Sequence, residues 1–247
     1  MESKLSVFLI TKNEEANIAR CLDSVKTIAD EIVIVDSGSS DKTVQIAKQY
    51  GAAVYEKPFV SFGEQKNFAL SKTSNLWCLS LDADEELTPN LTEEIKQVLQ
   101  NPQADGYKFI RAFSFLGRIM RFREDKKWHI LRLVRKDKAS FTDNLVHESL
   151  KTSGTELPLN GILLHYSYSD LHHYFEKFNL YTTLEAKEMF QKEKKFSYFK
   201  MFYKSAYWFA YTYFWKLGFR NGFQGFLWST FGFFYFFTSY AKLKFLK

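Results

Sequence analysis

Short apolar runs alternate with amphipathic segments through the first hundred residues. Leu5 to Ile10, rich in Val, Ile and Phe, stops at the polar corner Thr11-Lys-Asn-Glu-Glu15, which opens an amphipathic segment through Val25. That pattern predicts strand, loop, helix. Glu31 to Val35 repeats it, ending in Asp36-Ser-Gly-Ser-Ser-Asp41-Lys-Thr43 before a helical stretch with Val44, Ile46 and Ala47. Gly38 suits the tight turn, and Ser40 or Asp41 suits the helix cap. A third strand, Ala53 to Tyr55, leads past Pro58 to Ser61-Phe-Gly-Glu64, which has the form of a capping box, with helix from Gln65 to Leu70. Trp77 to Leu81 reads as a buried strand that ends abruptly in Asp82-Ala-Asp84-Glu-Glu. Thr88-Pro89 is a cap followed by proline at the first helical position, so Leu91 to Leu99 is expected as helix.

Later elements are less regular. Gly106 to Ala112 returns as strand, Phe113 to Arg123 is apolar and basic and is expected as a loop, and Trp128 to Val134 alternates as a strand should. Gly161 to Tyr166 is a further apolar strand, and Asp170 to Lys195 has the charged and spaced apolar residues of an amphipathic helix. Residues 221–241 carry no charge and would reach about 30 Å as a helix, yet glycines, Asn221, Gln224 and hydroxyls interrupt them, and aromatic residues dominate. Helices lying in a membrane interface fit this better than a span. The expected organisation is an α/β domain over 1–169 and a helical, basic and aromatic region over 170–247.

Strands alternating with helices at these intervals predict βαβ units and a mostly parallel sheet, whose carboxyl-end loops share one edge. Thr11 to Glu14, Asp36 to Asp41 and Asp82 to Asp84 then converge where open α/β sheets bind nucleotides. Neither GxGxxG nor GxxxxGK[ST] is present, so no dinucleotide fingerprint or P-loop explains that edge. If strand geometry persists past Leu81, Asp82 and Asp84 face one side, and two hard oxygen donors suit Mg²⁺ or Mn²⁺. On spacing alone, an acidic corner that is merely solvated explains them as well.

Charge divides the chain. From Lys187 onward it holds eleven Lys and Arg against Glu188 and Glu193, while the whole chain is only +6, so the basic character belongs to the tail. Aromatics follow the same boundary, with 24 of 45 at or after Phe196. Such a tail suits anionic lipid better than nucleic acid, because the long uncharged run offers no phosphate contacts. Cys21 and Cys78 lie far apart with no CxxC or Cys/His spacing, which argues against a zinc site or disulfide scaffold. The amino terminus lacks the pattern of a secretory signal, so a cytosolic or cytosol-facing protein is expected.

Four ordered stretches, Leu5 to Glu14, Glu31 to Asp41, Gln65-Lys66-Asn67 and Leu81 to Glu85, resemble those of family 2 glycosyltransferases with the GT-A fold, a Rossmann-like mixed sheet. The Asp-Ala-Asp-Glu variant, Val146-His-Glu148 and the short aromatic tail look closest to bacterial lipopolysaccharide core β-1,4-glucosyltransferases. The resemblance implies that Thr11, Asn13, Glu14 and Asp36 line the uridine pocket. It places Lys66 and Asn67 near the diphosphate or ribose, Asp82 on the sugar nucleotide, and Asp84 on Mg²⁺ or Mn²⁺. Many members have two consecutive acids where this chain has Asp36-Ser37.

An inverting transfer needs a base for the acceptor hydroxyl, and the motif position makes Glu148 the candidate. His147 is a candidate metal ligand or an orienter of Glu148; no second His follows at HExxH spacing, which excludes a zinc-protease reading. His165 is another metal-ligand candidate, or a core histidine. Arg132 and Arg135 are cations for a phosphorylated acceptor, or partners of the acids above. The expected activity is transfer of a hexose, glucose from UDP-glucose, to an inner-core heptose of lipopolysaccharide, by a peripheral protein on the cytoplasmic face of the inner membrane. Two alternatives stand beside it, transfer to polyprenyl phosphate or another lipid-linked acceptor, and a non-catalytic membrane-binding module with a relic nucleotide pocket.

Overall fold

The apolar runs become strands buried on both faces. The computed structural model describes residues 3–122, 129–142, 148–168 and 170–246, which form two compact units: Met1–Ala112 with Lys126–His165, and Phe113–Asp125 with Tyr166–Lys247. In chain order the first unit begins β1 (Leu5–Thr11), α1 (Ile18–Val25), β2 (Glu31–Asp36), α2 (Thr43–Gln49), β3 (Ala53–Glu56), α3 (Phe62–Lys72) and β4 (Trp77–Ser80). There follow β5 (Glu85–Leu87), α4 (Pro89–Gln100), β6 (Gly106–Phe115), β7 (Arg118–Ile119), β8 (His129–Arg135), β9 (Ala139–Phe141), β10 (Leu150–Thr152) and β11 (Glu156–Tyr168).

Among the described residues the main sheet has the order β3-β2-β1-β4-β8-β6-β11-β5, with β7 paired to β6, and β9 and β10 form a separate hairpin. The first four strands are parallel; β8 enters antiparallel to β4, pairing Trp77 with Arg135 and Leu79 with Leu133. Val7, Leu9, Ile34, Leu79 and Leu133 face one layer with α1 and α4, whose buried Ile18, Cys21, Leu22, Val25 and Leu91, Ile95, Leu99 keep helical spacing. Phe8, Val33, Val35 and Cys78 face the other, against α3 and the β9-β10 hairpin.

Local signals mostly act as read. Thr88 Oγ1 accepts from Leu91 N at 3.4 Å, with Pro89 in the first turn of α4; at α2 the cap position falls instead on Lys42, with no side-chain cap, and Asp41 Oδ1 accepts from Thr43 N from one residue before it. The capping box is only half formed: Ser61 Oγ accepts from Glu64 N, but the Glu64 carboxylate turns to Lys57 Nζ at 2.7 Å. Phe113 to Arg123 is not simply a loop. Strand β6 runs on through Phe115, and Leu116 and Gly117, at φ 48° and 75°, turn the chain back into β7. Two successive positive φ values are what a tight two-residue hairpin turn requires.

The second unit adds α5 (Leu171–Gln191), α6 (Tyr198–Ala210), a π-helical turn at Tyr211–Trp215, and α7 (Gly222–Phe245). Both α5 and α6 pack on α7, burying Ala186, Met189, Met201, Tyr240 and Leu243. A Cβ on Gly232 would stand 2.3 Å from Trp208 Nε1, so only glycine lets α6 and α7 approach this closely. No helix among the described residues is long and apolar enough to cross a membrane.

Candidate active site

The carboxyl ends of β1 and β2 meet in register, Thr11 beside Asp36. Thr11 Oγ1 donates to Asp36 Oδ2 at 2.9 Å, and Asp36 Oδ1 accepts from Gly38 N and Ser39 N at 3.0 and 2.8 Å. With the Ser39 hydroxyl added, the Asp36 carboxylate fills its four lone-pair sites from its own loops. Asn13 sits in the left-handed region, φ 56°, where its Oδ1 accepts from Ser40 N at 2.9 Å and its N–H donates to Ser39 Oγ at 2.8 Å. Glu14 N donates to Thr43 Oγ1, and Glu14 Oε2 accepts from Asn17 Nδ2. The four residues expected around the uridine therefore lie at one edge, as two laced loops.

Strand geometry does not persist past β4. Glu85 N donates to Asp82 O at 2.9 Å and Glu85 Oε2 accepts from Asp82 N at 3.0 Å, so residues 82–85 form a turn and the two aspartates part company. Asp82 Oδ1 lies 2.8 Å from Lys66 Nζ and its Oδ2 2.8 Å from Arg132 Nη2. Asp84 Oδ2 instead lies 3.1 Å from His165 Nε2 on β11.

Sheet curvature explains the meeting. Residues 81–84 link β4 to β5, a reach of at most about 18 Å, and less with the turn at 82–85. A flat sheet would place β5 four strand spacings away, about 19 Å. The sheet must therefore curl, carrying β8, β6 and β11 around the turn. Arg132 (β8) reaches Glu85 at 2.7 Å, Arg111 (β6) reaches Glu85 at 3.3 Å, and Arg111 Nη2 lies within 2.9 Å of both ring nitrogens of His165. Glu85 is fully buried.

Lys66, only 5% exposed, joins the two sides of the site. Its ammonium contacts Asp82 and lies 2.9 Å from Glu148 Oε1. A cavity of about 390 Å³ opens over Lys66, Asp82, Arg111, Arg132 and Glu148, with Lys108, His129 and Glu156 also on its wall. Asn67 does not line it. Its side chain clasps the backbone of Phe141, Nδ2 donating to the carbonyl at 3.0 Å and Oδ1 accepting from the N–H at 2.8 Å, which ties β9 to α3. Arg135 lies at the opposite end of the sheet, because β8 runs antiparallel to β4, and pairs with Asp137 at 2.9 Å and Asp105 at 3.8 Å. His147 lies outside the described residues.

Electrostatics follow from burial and pairing. Burial favours the neutral acid at Asp82, but Lys66 and then Arg132 outweigh it and hold the carboxyl well below its ordinary range. At Glu85 burial prevails, with repulsion from Asp82 added, and its affinity for a proton is raised. Lys66 is raised above the usual ammonium value; burial opposes this, and Asp82 and Glu148 overcome it. The Cys21 thiol is pushed up by burial and by the nearby Glu85, Asp84 and Asp82 charges, which keeps it inert. Glu85, Arg111 and Lys108 escaped the reading of the sequence; the isolated cations of Tyr107-Lys-Phe-Ile-Arg111 inside an apolar strand were the available signal.

Residues 6–150 match the Glycosyl transferase family 2 family. An uncharacterized glycosyltransferase of Rickettsia typhi is 38% identical, the match covering 98% of this chain and 87% of the relative. The lipopolysaccharide core biosynthesis glycosyltransferase LpsC of Rhizobium meliloti is 32% identical, over 97% of this chain and 91% of LpsC. Among solved structures, residues 1–349 of S. aureus TarS in complex with UDP-GlcNAc superimpose with a TM-score of 0.52 at 19% identity, over 75% of this chain and 66% of that chain, a likeness of fold. The mixed sheet with its laced carboxyl-end loops is the GT-A fold, and the chain belongs to glycosyl transferase family 2.

Proposed function

We propose that this chain is an inverting hexosyltransferase that moves glucose from UDP-glucose to an inner-core heptose of lipopolysaccharide. The observation that carries the reading is the Lys66 bridge, which holds a donor-side carboxylate, Asp82, and the candidate base, Glu148, against one ammonium in one cavity. The kinship with LpsC, named for lipopolysaccharide core biosynthesis, supports the acceptor class.

In this reading the two loops that Thr11, Asn13, Glu14 and Asp36 lace together receive the uridine, and Lys66 and Asp82 receive the diphosphate and sugar. Glu148 accepts the proton of the acceptor hydroxyl as that oxygen attacks the anomeric carbon. The bond from the anomeric carbon to the β-phosphate oxygen breaks, and its electron pair leaves with UDP. Lys66 and Arg132 offset the charge that develops there, and Arg132 also faces a phosphorylated acceptor.

Asp84 and His165 offer one oxygen and one nitrogen 3.1 Å apart, both side chains less than a fifth exposed. They fit two corners of an Mn²⁺ or Mg²⁺ shell completed by water and phosphate oxygens. Among the described residues no third Asp, Glu, His or Cys completes a cluster, and Asp82 is taken by its two cations. When bound, the metal would neutralise the departing diphosphate. The reading extends to a peripheral position on the cytoplasmic face of the membrane. Its support is an exposed aromatic surface, with Phe199 77%, Trp215 65% and Phe223 69% accessible, and a sequence with no acid after Glu193.

Mass spectrometry of truncated lipopolysaccharide incubated with UDP-glucose, Mn²⁺ and the full chain should show addition of one hexose, and Asp84→Ala should abolish it while the fold is retained. Transfer to polyprenyl phosphate alone would sink the acceptor assignment, and undiminished transfer by Asp84→Ala would sink the metal site.

A further inference from the structure

Arg118, Arg121 and Arg220 stand on the wall of a second cavity, about 640 Å³, formed within the second unit by residues 117–122 and 217–221. Phe122 and Leu217 supply its apolar part, and among the described residues no carboxylate lines it. Three arginines on one wall offer planar forks that a phosphate with several oxygens satisfies. The charge pattern alone would describe any basic surface. What sets this one apart is how firmly its backbone is fixed.

Asn221, 1% exposed, holds Arg121 by both backbone groups: its Nδ2 donates to the Arg121 carbonyl at 2.9 Å and its Oδ1 accepts from the Arg121 N–H at 2.7 Å. Arg118 Nη2 reaches the carbonyl of Arg220 at 3.5 Å. Leu217 adopts φ 58°, a left-handed conformation that a bulky residue avoids, two residues after the π-helical turn at Tyr211–Trp215. Backbone packing enforces that turn. A Cβ on Gly218 would stand 2.5 Å from Thr212 O, and one on Gly225 would stand 2.0 Å from Gly218 O. Strained residues of this kind persist where their surroundings over-determine them, and they gather at ligand sites.

We propose that this cavity binds the phosphate group of an amphiphile, the arginines taking the phosphate and Phe122 and Leu217 the adjoining apolar chain. The inference concerns the second unit alone and is independent of the reading of the donor site.

The full chain is titrated with phosphatidylcholine vesicles containing phosphatidic acid, and separately with inorganic phosphate. Two variants of equal charge loss are compared, Arg118→Gln/Arg121→Gln/Arg220→Gln and Lys194→Gln/Lys195→Gln/Lys200→Gln. Diffuse attraction to an anionic surface weakens equally in both. The proposed site predicts that the arginine variant loses at least about tenfold more affinity for the vesicles than the lysine variant. Replacing the same arginines by lysine keeps the charge and should not restore binding. Saturation by inorganic phosphate, lost in the arginine variant, assigns the site to a phosphate group whether free or lipid-borne; saturation on vesicles alone assigns it to the lipid headgroup. Equal losses in the two variants, rescue by lysine, or no phosphate-dependent binding by the native chain would overturn the proposal. Circular dichroism checks folding, and the single exposed substitution Arg220→Lys gives the same comparison if the triple variant misfolds.

Discussion

The buried site of the first unit and the tail of the second treat their cations in opposite ways. In the first, Lys66, Arg132 and Arg111 each lie against a carboxylate of the same chain. In the second, the sequence after Glu193 contains nine Lys and Arg and no acid. Burial accounts for the difference. A charge taken out of water requires a partner close by, and the partner fixes its position to within a few tenths of an ångström. A charge left in water requires none and remains available to whatever approaches. Buried pairs therefore build a site that orients small groups, whereas an unopposed basic surface recognises an anionic one.

The largest expected effect tests whether the buried side is catalytic. Glu148→Gln should lower transfer by about 10²–10⁴-fold while UDP binding persists, measured by product formation beside calorimetric titration with UDP. If donor affinity collapses with the rate, Glu148 belongs to the donor site instead. Next in size is the asymmetry itself. Arg132→Ala leaves Glu85 with Arg111 alone and Asp82 with Lys66 alone and should cost about 3 kcal/mol in urea unfolding, whereas Lys200→Ala, on the exposed face of α6, should leave the unfolding midpoint where it was. Equal sensitivity at the two positions would erase the contrast.

The smallest effect concerns acid. Asp82 is held well below its unfolded value of about 3.9, so its pairing stabilises the fold above that pH, and the stabilisation is lost as pH falls through the lower, folded value. Urea midpoints followed from about pH 6 down to about pH 2 should fall less steeply for Asp82→Asn than for the native chain. Parallel curves would mean that the pairing adds nothing to the acid limb.

Much of this arrangement is written locally. The run ending at Thr11, the Asp36 loop with Gly38 at φ 86°, and the cap at Thr88-Pro89 are short-range features, and the structure reproduces them. What escaped was direction and distance. Arg132 and Arg135 look equivalent in sequence, yet with β8 antiparallel to β4 one lies at the carboxyl end of the parallel strands and the other at the amino end. The Asp82-Ala-Asp84 pair reads as one clamp, but a turn after Ser80 sends each carboxylate to a different partner. Asn67 has the motif position of a donor contact while its amide ties down Phe141. Each miss depends on a partner far away along the chain, which period and propensity do not encode.

The curled sheet also makes the site depend on contacts between segments far apart along the chain. Asp84 meets His165 where β11 docks beside β5, and Glu85 meets Arg111 and Arg132 from β6 and β8. Contacts between segments so far apart close late, because the loop entropy must be overcome before they form. Molecules in which those contacts have not closed should be silent rather than indiscriminate.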